Sequence, residues 1–556
     1  MLGENSMPKV YLNVKKIIGK VVVIFMLGIF PFITHDALYD ITITRYNIFL
    51  TVVIIAFLLM IVNELIHMID MKLYRFRKME QSQAQKSHQV SILQSGINRE
   101  LRLKINLEDI LIFTFFLICT LSWLLSDYRV EALTGAGSRY TGYLFMTGLC
   151  MLYVIAKRCY QYCEWDLIII FASVMLINGL AVLNFCGIDP FGFFTQMKAS
   201  SKDSFISTLG NIDTFAAYTS IFTPIAVVMY MKSKKQGKTI FYAIAVFFTM
   251  MGILVSNSDC AFVGLFTLIG AVVYLLLKTS KNVRRFLEVI IIFGVAVLVA
   301  AYLQVLGKQV SINSIRRFTG ISGGIVSVKI AVIILLVGAI LLICLNFKTI
   351  ISRFDKIDNS DILRYILMCA LFVIALALIF SFLYFSLVNK TANLGNAAGY
   401  FRFDDSWGTN RGYIWRISAG AYTGLPLLHR IFGTGEASFR FTISVLTAQQ
   451  DSMYFSKILD SAHNELLHYM ITIGVLGLVN YILIIGHLLK HLFTNEENTP
   501  IQYALGLAVL CYFVQSIFNI AQPITTPLLF IVLAILSSAN NKNMKKGYNF
   551  YEEKHE

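Results

Sequence analysis

Charge is scarce in this sequence. Asp, Glu, Lys and Arg make up 14% of its 556 residues and hydrophobic types 57%, whereas a soluble domain carries about a quarter charged residues. That shortage excludes a soluble globular protein and leaves a polytopic membrane protein. Cysteine is missing from the long polar stretch between residues 387 and 463, so no disulfide framework braces it. Six of the nine cysteines (Cys119, Cys150, Cys186, Cys344, Cys369 and Cys511) fall inside apolar runs, and Cys159 with Cys163 has neither the spacing nor the companions of a zinc site. A small-residue cleavage site is lacking after Lys15, Lys16 and Lys20, so the first apolar run is expected to be a retained span. DxD triplets and histidine clusters, the marks of a strong metal site, are lacking as well.

What the chain has in quantity is apolar runs of about 20 residues, the length that crosses a hydrocarbon core of roughly 30 Å. Fourteen emerge: 17–35, 47–69, 109–125, 141–157, 166–186, 214–231, 239–256, 261–277, 287–305, 328–346, 364–386, 464–487, 501–519 and 523–539. The fold class expected is therefore all-α, a polytopic integral membrane protein of about 14 transmembrane helices (12 to 14). The short connections around Asn257 to Cys260 and in the last pair would also suit re-entrant hairpins. The organisation predicted is helices 1 to 11 over residues 1–386, a long extracytoplasmic loop over 387–463, helices 12 to 14 over 464–540 and a tail over 541–556.

Orientation follows from Lys and Arg, which are retained on the cytoplasmic side. With the N-terminus inside, 31 of the 47 fall on cytoplasmic segments and 16 outside, seven of these in the long loop. Both termini are expected to be cytoplasmic. The basic clusters KLYRFRK, KSKKQGK, KNVRR and KNMKK then lie at inner span ends, where anionic headgroups attract them, and the net charge of +15 needs no nucleic-acid partner. The inner loop from Met71 to Asn106, rich in Gln, Ser, Lys and Arg, is expected to be partly disordered or interfacial.

Several outer loops carry chemistry-bearing residues, each with a plain structural explanation beside the functional one. His35, Asp36 and Asp40 are polar residues at a span end or a weak divalent-metal locus. Arg139, among glycines and tyrosines in EALTGAGSRYTGY, suits an oxyanion or sugar contact, or a snorkelling anchor. In STLGNIDTFAAY, Ser207 to Asn211 can cap the following helix, which alone explains Asn211 and Asp213. The adjacent Arg316 and Arg317 suit an anionic ligand or a solvated loop equally.

The long loop is sharper. Arg411, Trp415 and Ser418 share one helical face, Tyr413 and Arg416 face elsewhere, and Pro426 limits the segment. This predicts a short interfacial helix, followed by a flexible GTGE turn (433–436) that lets backbone approach a ligand. His463 opens the next span, with Asp460 or Ser461 placed to cap it and Asn464 and Glu465 in its first turn. A helix start keeps imidazole neutral, hence able to accept a proton. Gly474 and Gly477 would admit a neighbouring helix, and His468, five residues on, does not share the face of His463.

RGYIWRISAGAYTGLPLLHRIFGTGEASF followed by SAHNELLHYMITIGVLGL resembles the paired motifs of the O-antigen ligase and polysaccharide polymerase family: an R-x3-W helix, a proline, a G-x-G turn, then H-N before a glycine-containing span. STLGNIDTFAAY and SRYTGYL are similar to its weaker upstream motifs. The resemblance implies a GT-C-like membrane glycosyltransferase that uses no nucleotide sugar, with no cofactor and no metal. By position His463 matches the family's catalytic histidine and Arg411 its essential loop arginine. Arg416, Arg139, Arg316, Arg317, Trp415, Asn211, Asn464 and Glu465 are the candidates for diphosphate or sugar contacts. Two features depart from the family's pattern: SNSDCAFVGL lacks the arginine many members carry there, and fourteen spans exceed the twelve typical of the ligases.

The chemistry suits these residue types. Guanidinium forks hold a diphosphate leaving group bidentately, and a neutral His463 accepts the proton of an attacking sugar hydroxyl. The partners expected are a polyprenyl diphosphate-linked oligosaccharide donor, a glycan acceptor, the lipid bilayer and other polysaccharide-assembly membrane proteins, with no nucleic acid. A polymerase of cell-surface polysaccharide is the leading expectation. A ligase handing the glycan to a lipid, wall or protein acceptor is the alternative. A 14-helix flippase or transporter without chemistry is the third, and it would place functional charges at the bilayer midplane, where most of these spans have none.

Overall fold

A computed structural model describes residues 7–84, 105–309, 315–351, 359–447, 459–495 and 497–541. Among these the chain is helical almost throughout, with one two-residue hairpin, β1 (Phe205–Ile206) antiparallel to β2 (Gly210–Asn211). The longer helices are α1 (Met7–Ile24), α2 (Ile41–Ala84), α3 (Leu107–Leu125), α4 (Tyr143–Cys159), α5 (Glu164–Phe185), α6 (Ile212–Lys232), α7 (Gln236–Ser256), α8 (Asp259–Leu276) and α9 (Ser280–Gln309). They continue with α10 (Val328–Ile351), α11 (Asn359–Leu383), α12 (Trp407–Gly424), α13 (Leu427–Phe432), α14 (Phe439–Thr447), α15 (Glu465–Thr472), α16 (Gly474–Thr494), α17 (Pro500–Ser516) and α18 (Thr526–Asn540). Among the described residues nine helices are long and apolar enough to cross a membrane, and Val328–Cys344, Pro500–Ser516 and Thr526–Asn540 are shorter apolar helices.

Helices form where the sequence is apolar because, in lipid, a helix satisfies its backbone polar groups within one segment. Which face is buried then depends on neighbours. α6 is buried from Thr214 to Met231 and α18 from Thr526 to Asn540, so both are enclosed on all sides at the centre of the bundle. At the other extreme, no residue of the apolar window in Arg364–Val388 is buried, and the face of Phe372, Val373, Ile379 and Phe380 is left for lipid.

Polar contacts sort the loops into two ends. At one end Arg45, fully buried at the start of α2, donates to the carbonyls of Pro31 (2.8 Å), Ile33 (3.1 Å) and Thr208 (2.5 Å), tying the end of the first helix to the hairpin. At the other end Lys20 pairs with Asp166 (2.9 Å), Lys157 with Asp109 (2.7 Å), Lys238 with Glu164 and Arg285 with Glu288 (2.9 Å).

Two sequence expectations need correction. The loop from Met71 to Asn106 begins as helix, because α2 runs on through Ala84; residues 85–104 lie outside the described residues. The run 464–487 is not one helix but α15 and α16, broken at Ile473 and Gly474. The break has a partner: the Thr434 N–H donates to Ile471 O (3.0 Å) and the Gly435 N–H to Thr472 O (3.0 Å), so the GTG turn occupies carbonyls released where the helix stops. Gly433 (φ 86°) and Gly474 (φ 71°) both take left-handed backbone, and a Cβ on either would collide with the other segment's backbone. The close approach at Gly474 is made by the C-terminal end of α13, through the backbone of Ile431 and Gly433, whereas the neighbour Gly477 meets is the side chain of Ile473.

Candidate functional site

Arg411 begins the regular part of α12, after Gly408, Thr409 and Asn410 turn through left-handed backbone (φ 58°, 59° and 73°). That turn points carbonyl and hydroxyl groups back at the arginine: Nη1 donates to Gly408 O (2.9 Å) and Thr409 Oγ1 (3.2 Å). Nη2 reaches Asp213 Oδ2 (2.9 Å) and the Cys260 thiol (3.7 Å). The Nε–H is buried and has no hydrogen-bond partner among the described residues.

Asp213 is set by the start of α6. Asn211 caps that helix by accepting from the Asp213 N–H (2.8 Å), Ser258 Oγ donates to Asp213 Oδ1 (2.7 Å), and Asn519 Nδ2 donates to the Asp213 carbonyl (2.6 Å). Next to it Asp259, which opens α8, accepts from the Ile321 N–H (2.9 Å) and the Tyr400 hydroxyl (2.8 Å). The SNSD segment thus joins α6, α8, the 315–321 loop and the long loop at one end of the bundle.

His463 is half-buried and holds left-handed backbone (φ 48°), a strained state for a side chain of this size. Its pKa is lowered to about 4, first by burial and then by the charges of Arg139 and Arg411, with Asp213 and Asp460 opposing. The neutral ring expected from a helix start is present, but the cause differs: Asn464 is the cap, accepting from the Leu467 N–H (3.0 Å), and His463 precedes the helix. Asp460 does not cap the helix; it accepts from Arg139 Nη2 (3.0 Å). Arg139 also keeps a buried Nε–H without a partner among the described residues. His468, off the face of His463 by helical spacing, is buried and stacks on Phe439 (5.1 Å between rings).

The structure therefore brings Arg411, Arg139 and His463 into one electrostatic neighbourhood with Asp213 and Asp460. The other candidates are engaged elsewhere. Arg416 forms a two-point pair with Asp405 (3.0 and 2.8 Å) on an exposed face. Trp415 packs on Trp407 (5.2 Å) and Phe518 (5.9 Å). Arg316 holds the hairpin through Phe205 O (2.8 Å) and lies over Phe194, while Arg317 is exposed and its carbonyl accepts from Asn257 Nδ2 (2.9 Å). Glu465 is fully buried and accepts from the Tyr481 hydroxyl (2.7 Å). His35 and Asp40 bond each other (2.6 Å).

The GTGE turn packs against the helix break. Ser126 Oγ donates to Thr434 O (2.6 Å), fastening the turn to the end of α3, and Ser122 Oγ donates to Thr472 O (2.8 Å), fastening the end of α15 to the same helix. Glu436, the last residue of the turn, is buried beside the Cys119 thiol, and burial pushes its pKa up to about 8. Sequence reasoning offers Asp460 as a helix cap, accounts for Asp213 by the cap at Ser207 to Asn211 beside it, and singles out neither Asp259 nor Glu436. The available signal was the number of arginines in outer loops, each of which needs a carboxylate from somewhere.

Fold and site together define a multi-pass, all-α membrane protein with an arginine–carboxylate–histidine cluster at one end of its helices. In comparison with known families, residues 318–482, the stretch that holds Arg411 and His463, match the family model described as O-antigen ligase. No curated protein matches the chain.

Proposed function

We propose that the protein is a membrane glycosyltransferase that extends a cell-surface polysaccharide. It moves oligosaccharide units from polyprenyl (undecaprenyl) diphosphate to a sugar hydroxyl on the outer face of the cytoplasmic membrane. The supporting observation is the meeting of a neutral imidazole with two guanidinium groups, each keeping a buried, unpaired Nε–H. Orphaned buried donors of this kind await an acceptor, and a diphosphate supplies several. Arg411 and Arg139 hold the leaving group as negative charge builds on it. His463 takes the proton of the attacking hydroxyl. That oxygen bonds the anomeric carbon as the bond from this carbon to the phosphate oxygen breaks, and the electron pair leaves with the diphosphate. A single displacement of this kind inverts the anomeric centre. The Lys and Arg asymmetry of the loops supports the outward placement.

The test is conversion, by purified protein, of a polyprenyl diphosphate oligosaccharide to longer product. His463→Ala should lose about 10²- to 10⁴-fold in rate while inserting normally. Arg411→Lys should also fail, since an ammonium keeps the charge but not the bidentate fork. With two guanidinium groups in that role, excess chelator should leave the wild-type rate nearly unchanged. Near wild-type turnover by well-folded His463→Ala would remove it as the base. A lipid-core acceptor in parallel reactions separates chain extension from ligation.

A further inference from the structure

The two arginines proposed to hold the diphosphate are not idle: each is already paired with a carboxylate. Arg411 reaches Asp213 at 2.9 Å and Arg139 reaches Asp460 at 3.0 Å. All four side chains are partly open, 14% and 26% exposed in the first pair and 31% and 35% in the second, so an incoming anion can reach both. The groups acting on His463 are these four: Arg139 from the loop before α4, Arg411 from α12, Asp213 from α6 and Asp460 from its own segment. With the ring neutral, the cluster carries two positive and two negative charges and no net charge.

A diphosphate diester brings two further negative charges. Placing it on guanidinium groups that still hold carboxylates would set like charges against each other in a partly desolvated site. Exchange removes the conflict. We infer that Asp213 and Asp460 are place-holders: the donor's diphosphate takes Arg411 and Arg139 from them and leaves both carboxylates facing His463, where they stabilise the imidazolium formed as it accepts the acceptor's proton. The inference rests on the diphosphate reading above and makes Asp213 and Asp460 positioning residues for it.

The consequence is a base that is competent only when donor is bound. Without donor, both guanidinium charges and burial suppress protonation of His463. With donor, the diphosphate neutralises those charges, and the released carboxylates favour the protonated ring. When the diphosphate product leaves, the arginines return to the carboxylates and the ring loses its proton to water. Ser258, which already donates to Asp213 at 2.7 Å, keeps that carboxylate partnered after exchange.

Binding and turnover should therefore move in opposite directions. With the full chain in nanodiscs and farnesyl diphosphate as the probe, Asp213→Asn and Asp460→Asn should each bind roughly tenfold tighter than wild type, because no carboxylate competes for the arginine. Both should turn over donor more slowly, by about tenfold or more. Asp213→Glu, which keeps the charge, should bind as wild type does, and melting temperatures identify any variant that is simply unfolded. Unchanged or weaker binding by both Asn variants, with wild type binding the probe, overturns the exchange and leaves the transferase reading standing. Failure of every form to bind the probe overturns the diphosphate reading and the exchange with it.

Discussion

His463 combines a left-handed backbone with a ring held neutral by burial beside two arginines. Strain of this kind costs on the order of 1–3 kcal/mol and persists where the surroundings over-determine it. Its motif made it legible in the sequence, as was Arg411. Their carboxylates were not, because Asp213 lies 198 residues from Arg411 and Asp460 lies 321 from Arg139, and no local pattern links them. Glu436 went unremarked as part of a turn, yet it yields a prediction. Its folded pKa is raised to about 8 from an ordinary value of 4.5, so between those values the folded state holds a proton that the unfolded state has lost. Its contribution is full below the unfolded value and declines as pH rises through about 8. Glu436→Gln does not titrate, and its stability advantage over wild type should be roughly 2 kcal/mol larger at pH 8 than at pH 6. Melting temperatures in detergent at the two pH values measure this, and an advantage that shrinks with pH would contradict it.

At the level of elements, the decisive feature is the break between α15 and α16. Hydropathy reads 464–487 as one span because Gly474 is tolerated in an apolar helix, and the composition carries no signal of the break. What makes the break stable is the GTG turn, whose N–H groups reach Ile471 and Thr472 carbonyls from about forty residues upstream. α12 was more legible, since Pro426 and the turn residues around Gly408 delimit it locally. Gly474→Ala should be destabilising, by on the order of 1–3 kcal/mol for the left-handed backbone alone, with more from collision against the 431–433 backbone. Limited proteolysis should then cut the 431–438 segment faster than in wild type. Unaltered protection would show that the turn is held by Ser126 rather than by its fit to the break.

On the scale of the whole molecule, the loops separate into two ends, and the end bearing His463 is the one proposed to face outward. A single cysteine replacing exposed Ser406, in a background without the nine native cysteines, should react with an impermeant thiol reagent in intact cells, whereas one replacing exposed Ser280 should not. The opposite pattern would invert the orientation and place the site on the cytoplasmic side. The apolar helices and the H-N and R-x3-W motifs were determined by the sequence alone, because a helix in lipid meets its hydrogen-bonding needs within one contiguous segment and so leaves a readable run. The tertiary structure alone decided which carboxylate meets which arginine, why His463 is neutral and where the twelfth run breaks. Ion pairs, burial and backbone docking join residues hundreds of positions apart, and their free energies exist only once the helices have packed.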